Sequence, residues 1–276
     1  MAYPAPSPAS PPGRFSDLRT LDVPWTGRDV FTGIIWFIAI FIAGQIAVVI
    51  FAIADGSTTS AGTYAAAFVL GAAVEVGIGI VAYALSAGRY GGGLRRLGVR
   101  PPNGTTFLWA AAAFAGALAV SIIYGVLIQV FHLDQLQSNC AEQIPSGVRS
   151  TRWLLALASL VVISFAPVFE ELFFRGFVFP GLAKAWGVGL AIVVSALLFS
   201  SAHLDYKSFI PIAGVGMVFA FSYWRSGNIF STMTAHCAFN STSIAFIAGG
   251  SCDSIAGHPA LFYLADAALS LSRVHL

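Results

Sequence analysis

The sequence predicts an all-α fold, a polytopic membrane bundle of about seven or eight transmembrane helices. Two observations carry this. Of its 276 residues, 57% are hydrophobic and only 9% charged, whereas a soluble domain carries roughly 25% charged residues. Mean hydropathy is +0.81, and several apolar stretches reach the roughly 20 residues that a helix needs to cross about 30 Å of hydrocarbon. A soluble globular class is excluded. The lipid bilayer is the first partner implied, and a net charge of +2 is too small to imply a nucleic-acid partner.

Along the chain, residues 1–28 are expected to form a cytoplasmic, disordered tail. Residues 1–12 are a Pro/Ser/Ala tract that cannot build a core. No basic region leads into a short apolar segment with a cleavage site, so the tract is not read as a secretory signal. The transmembrane domain is expected over 29–276, with spans at about 30–54, 61–87, 107–131, 151–182, 188–203, 208–224 and 228–249. A weaker apolar stretch at 259–271 is either a short eighth helix or an interfacial segment. The fourth span is too long for a simple crossing, which predicts tilt or an interfacial extension. Pro167 within it frees the carbonyl of Ile163 and predicts a kink.

Basic residues orient the bundle. Arg14, Arg19, Arg28, Arg89, Arg95, Arg96, Arg100, Arg175, Lys184, Arg225 and Arg273 fall on one side, leaving Arg149, Arg152 and Lys207 opposite. The N-terminus and the even-numbered loops are therefore expected in the cytoplasm, and the composition suggests a bacterial cell membrane. Cys140 and Cys252 then face outward, either bridged or as two free thiols, whereas Cys237 lies within a span.

Ionisable groups inside spans are costly, at roughly 2.5–3.5 kcal/mol each at the bilayer centre, and mark cavities or function. Glu170 and Glu171 are adjacent, so they point about 100° apart on a helix and cannot share one role. Glu171 and Arg175 stand i,i+4 with the acid first, the favourable order for an ion pair. That leaves Glu170 to face a cavity. Phe199 and His203 share a helix face, as do His236 and Asn240. The latter two either donate to a developing oxyanion or form an interhelical hydrogen bond. Glu75 is left as a cavity-lining group, a partner for a distant helix, or a neutral acid hydrogen-bonded across helices.

Spacing brings these groups towards one region. If the fourth and fifth helices form a hairpin turning near Gly187, Glu170 lies 17 residues before the turn and His203 lies 16 after it. Both are then about 25 Å from the turn. His236 is 11 residues beyond Arg225, about 16 Å into its helix, which leaves it about 9 Å short.

The ordered set Glu170-Glu171-x-x-x-Arg175, Phe199-x-x-x-His203 and His236-x-x-x-Asn240 resembles the three motifs of the CAAX-processing and bacteriocin-processing (CPBP) family. That family includes type II CAAX prenyl endopeptidases and Abi-type bacterial membrane proteins. The resemblance covers about 150–250, where a CPBP-like catalytic core is expected. It implies an intramembrane endopeptidase acting on a peptide or membrane-protein substrate. In that role Glu170 and His203 position and deprotonate the attacking water, and His236 and Asn240 stabilise the oxyanion. Glu171 with Arg175 braces the site. The resemblance allows a prenylated CAAX peptide, a leader peptide or a membrane-protein segment as substrate.

A divalent metal such as zinc is a possible cofactor, with Glu170, His203 and His236 as candidate ligands, although no H-E-x-x-H is present. Nucleophilic-serine and aspartyl mechanisms lack their parts: there is no G-x-S-x-G and no pair of intramembrane aspartates. The competing readings are a non-catalytic scaffold or immunity-type protein, and a proton- or cation-coupled transporter using Glu75, Glu170 and His203.

Overall fold

A computed structural model describes residues 23–136 and 144–248. The tract at 1–12, Cys140, Cys252 and the stretch at 259–271 lie outside the described residues. Seven principal helices follow in order: α1 (Gly27–Asp55), α2 (Ala61–Tyr83), α3 (Gly104–Val130), α4 (Arg152–Trp186), α5 (Val188–Ala202), α6 (Phe209–Ser226) and α7 (Ile229–Ala248). No strand occurs among the described residues. This is an all-α, polytopic membrane bundle. α1, α2 with the turn that follows it, α3 and α4 are each long and apolar enough to cross a bilayer. α5 is apolar but only 15 residues long. α6 and α7 carry more polar side chains.

The helix starts are written locally. Asp29 Oδ2 accepts from the Thr26 backbone N–H at 2.8 Å, and Asn103 Oδ1 accepts from Thr106 N–H at 3.0 Å. Each bond occupies a donor that the first turn leaves unpaired. Asp29 also accepts from Arg89 at 3.1 Å and Tyr90 at 2.9 Å, tying the start of α1 to the loop after α2. Between α4 and α5 the chain reverses at Gly187, whose φ of 81° is accessible mainly to glycine. The hairpin expected from the sequence turns there.

α4 is the centre of the bundle, against α2, α5 and α7, while α3 lies against α6 and α7. It is not one regular helix. Two wide π-helical segments, Val161–Phe165 and Leu172–Val178, flank the α-helical turn Ala166–Glu171. Pro167, where the sequence predicts a kink, follows closely on the first of these. In a π turn the carbonyl of Val162 would look to residue 167, a proline with no N–H to offer. Asn240 Nδ2 donates to that carbonyl from α7 at 2.8 Å.

The main core surrounds the second π segment, with Phe173, Phe177, Phe179 and Phe199 all buried. Trp25, just ahead of α1 and fully buried, donates from Nε1 to the Phe177 carbonyl at 3.0 Å. Close helix approach depends on glycine at Gly79 of α2, where a Cβ would fall 2.4 Å from the Phe169 ring. The opposite face of α1 exposes Ile35, Trp36, Ile42, Ile46 and Ile53. For a membrane helix this is the lipid-facing surface.

Candidate active site

The ion pair expected between Glu171 and Arg175 is present and fully buried. Arg175 Nη1 donates to Glu171 Oε1 at 2.8 Å. Two further contacts fix the guanidinium. Nη2 donates to the Gly216 carbonyl at 3.3 Å, and the Phe199 ring lies 4.2 Å from its central carbon. Such a cation–π contact is strongest when desolvated, as here. The same Glu171 oxygen accepts from His236 Nδ1 at 3.0 Å. Glu171 thus holds two groups from two helices, Arg175 on its own and His236 on α7.

His236 reaches Glu170 as well. Its Nε2 stands 3.7 Å from Glu170 Oε2, so the depth deficit of about 9 Å reckoned from residue counting is closed. The π segment Leu172–Val178 between Glu170 and the Gly187 turn contributes part of that closure. A π turn holds more residues than an α turn, so counting at the α-helical rise places Glu170 too far from the turn.

His203 ends α5. Its ring lies 4.8 Å from that of Phe199, centroid to centroid, on the face the i,i+4 spacing predicted. His203 Nδ1–H donates to the Phe199 carbonyl at 2.9 Å. A carbonyl can only accept, so the proton of the neutral ring sits on Nδ1 and leaves the Nε2 lone pair open. Leu204 follows in the left-handed region at φ 52°, an uncommon conformation for a non-glycine residue.

Glu170 and His203 line one cavity of about 200 Å³, together with Glu75 and Gln45. Of the three sequence readings of Glu75, the structure gives the cavity-lining one: Oε2 is buried without a hydrogen-bond partner. Gln45 was missed. A lone glutamine in α1 belongs to no motif, and only its polarity within an apolar span marks it. Neither His236 nor Asn240 lines this cavity; His236 lies behind Glu170, and one amide hydrogen of Asn240 is committed to Val162. The sequence left Asn240 between an oxyanion donor and an interhelical bond, and the structure records the interhelical bond. Just past His203, Asp205 is partly buried. Hydrogen bonds from Ser208 Oγ and the Lys207 backbone outweigh that burial and hold its carboxyl below the usual range.

Of the candidate metal ligands, Glu170 stands 3.7 Å from His236 and shares its cavity with His203. Among the described residues no group of three His, Cys, Asp or Glu side chains is arranged to hold an ion. His236 Nδ1 is already engaged by Glu171, and His203 stands on a different helix end. The residues in this arrangement do not fit a zinc site, and no step below is routed through one.

Comparison with known proteins adds similarity over part of the chain. Residues 152–242 match the family model described as type II CAAX prenyl endopeptidase Rce1-like. The chain is similar to YdiL of Bacillus subtilis (strain 168), assigned as a membrane peptidase, with 28% identity over 146 residues. That alignment covers 52% of this chain and 58% of the relative. It is also similar to the membrane-embedded CAAX protease MroQ of Staphylococcus aureus (strain USA300), with 27% identity over 134 residues, 46% of this chain and 52% of the relative. The chain spans about half the length of these curated relatives. No solved structure matches it. The matched region contains Glu170, Glu171, Arg175, His203, His236 and Asn240, and over it this chain is similar to the Rce1-like CAAX peptidases.

Proposed function

We infer that this chain is an intramembrane endopeptidase that hydrolyses a peptide bond of a membrane-associated substrate. The single observation that carries the reading is the cavity in which Glu170 and the open Nε2 face of His203 occur together. A water held between a carboxylate and an imidazole loses its proton to the base as it attacks the scissile carbonyl. Glu170 takes the proton, and His203 orients the water through Nε2. Positioned bases of this kind supply about 10²–10⁴-fold.

The tetrahedral intermediate needs donors. His236 offers an Nε2–H only when its ring carries both protons, because Nδ1–H is given to Glu171. The second amide hydrogen of Asn240 is the other candidate, its first being held by Val162. Each donor contributes about 10²–10³ in rate. Glu171 and Arg175 keep His236 in place and touch no substrate. In the cell the N-terminus and even-numbered loops face the cytoplasm of a bacterium, as the distribution of arginines favours. The substrate is a lipid-modified peptide, a leader or a membrane-protein segment.

Cleavage of a quenched-fluorescence peptide library by detergent-purified protein tests this reading. Wild type is compared with Glu170→Gln and His203→Ala, with and without a chelator. Turnover lost at least 100-fold in both variants is expected. Equal turnover in all three preparations would remove the assignment.

A further inference from the structure

The cavity has two unlike walls. Glu170, midway along α4, and His203, at the end of α5, occupy one. The other is built by α1 and α2, and its polar side chains are Gln45 and Glu75, set among Phe37, Phe41, Val48 and Leu70. Among the described residues neither Gln45 nor Glu75 has a recorded hydrogen-bond partner, and Glu75 Oε2 is buried without one. Gln45 is exposed at the cavity side of α1, whereas a buried acid oxygen without a partner within apolar helices is costly to keep. Gly71, one turn before Glu75, lines the cavity and borders open space, where a Cβ would meet no atom within 4 Å.

An occupant that answers this wall must offer hydrogen-bond donors and acceptors along an otherwise apolar body. Acyl chains carry neither. A helical segment has its backbone groups bonded internally. An extended peptide strand presents both, with side chains alternating to either face, and in a bilayer its free N–H and C=O groups demand partners. Gln45 can donate and accept at one site, and the Glu75 carboxyl accepts from an N–H or, protonated, donates to a C=O.

We propose that Gln45 and Glu75 form a recognition subsite for the main chain of an extended, apolar peptide strand, held across the cavity from Glu170 and His203. This deepens the peptidase reading and rests on it for the identity of the opposite wall. The two residues position the strand and take no part in bond cleavage. The subsite selects segments that are already unwound and rejects intact helices, whatever their side chains.

The test uses two biotinylated pools of random apolar nonapeptides bearing a photoreactive diazirine, one with free backbone amides and one N-methylated at alternate residues. Full-length protein in detergent is photolysed with each pool, and captured peptide is counted. Wild type is expected to capture the free-amide pool about tenfold better than the N-methylated pool. Gln45→Leu and Glu75→Leu should each lower capture of the free-amide pool about tenfold. Glu75→Gln, which keeps a hydrogen-bonding head, should restore most of it, and Gly71→Phe should block capture of both pools.

Equal capture of the two pools by wild type overturns the proposal, as does undiminished capture by the two leucine variants or capture of neither pool. The comparison of pools on wild type needs no substitution, so a variant that misfolds does not shelter the idea. Mass spectrometry of the captured peptides separates this inference from the peptidase itself. Intact peptides with the expected capture pattern refute the peptidase and leave the subsite. Cut peptides whose capture ignores Gln45 and Glu75 do the reverse.

Discussion

Removing the Arg175 guanidinium while leaving Glu171 in place should be among the most damaging single changes in the bundle. Glu171 is fully buried, and one of its oxygens accepts from both Arg175 and His236, at 2.8 and 3.0 Å. Arg175→Leu keeps only the inner, apolar part of the stem and strands the carboxylate. Breaking a buried pair by deleting one partner costs about 3–5 kcal/mol. At about 2–4 °C per kcal/mol for a chain of this size, the melting temperature should fall by roughly 6–20 °C. Glu171→Gln in the same background removes the orphaned charge and still offers an oxygen to His236, so the double variant should recover at least half of the loss. Thermal unfolding of detergent-purified protein, followed by tryptophan fluorescence, gives all three numbers. A single variant that melts within about 2 °C of wild type, with the double variant no better, would refute the reasoning.

Three further outcomes follow from the same packing. Asn240→Ala should cost about 1–3 kcal/mol by orphaning the Val162 carbonyl; that cost should shrink in a Pro167→Ala background, where residue 167 regains an N–H, and equal costs in the two backgrounds would count against the assignment. Gly79→Val should push the Phe169 ring, which neighbours Glu170, and lower turnover about tenfold or more at nearly unchanged expression; turnover like wild type would mean that the contact of α2 with α4 is forgiving. Asp205 has a depressed carboxyl pKa, so its stabilising contribution is complete above the ordinary carboxylate value of about 4 and fades as pH falls through and below it. Asp205→Asn should therefore melt lower than wild type at neutral pH, with the gap narrowing as pH falls below the ordinary carboxylate value, and a gap unchanged in acid would exclude the linkage.

Much of the bundle was legible because membrane spans announce themselves through length and composition, and helix faces repeat with a fixed period. Helical spacing alone paired Glu171 with Arg175 and laid Phe199 against His203. What escaped was a matter of winding. Only Pro167 hinted that α4 leaves the regular α-helix, and no residue pattern announced the wide turns over Leu172–Val178 that shorten it. Gln45 escaped for another reason. Its significance lies in what stands across the cavity, on helices more than a hundred residues away, and a single amide in α1 carries no trace of that partner.

Trp25 has a consequence for how the protein is made. Its indole is satisfied by the carbonyl of Phe177, 152 residues later, and the neighbouring Val23 carbonyl accepts from Lys184 at 2.7 Å. While the chain is being synthesised, α1, α2 and α3 enter the bilayer before either bond can form. The entrance to the first helix therefore stays unclasped until the fourth has been delivered. The clasp joins the first helix to the fourth, and a nascent chain stalled before Phe177 would present an unpaired tryptophan at the membrane surface to whatever surveys unfinished proteins there.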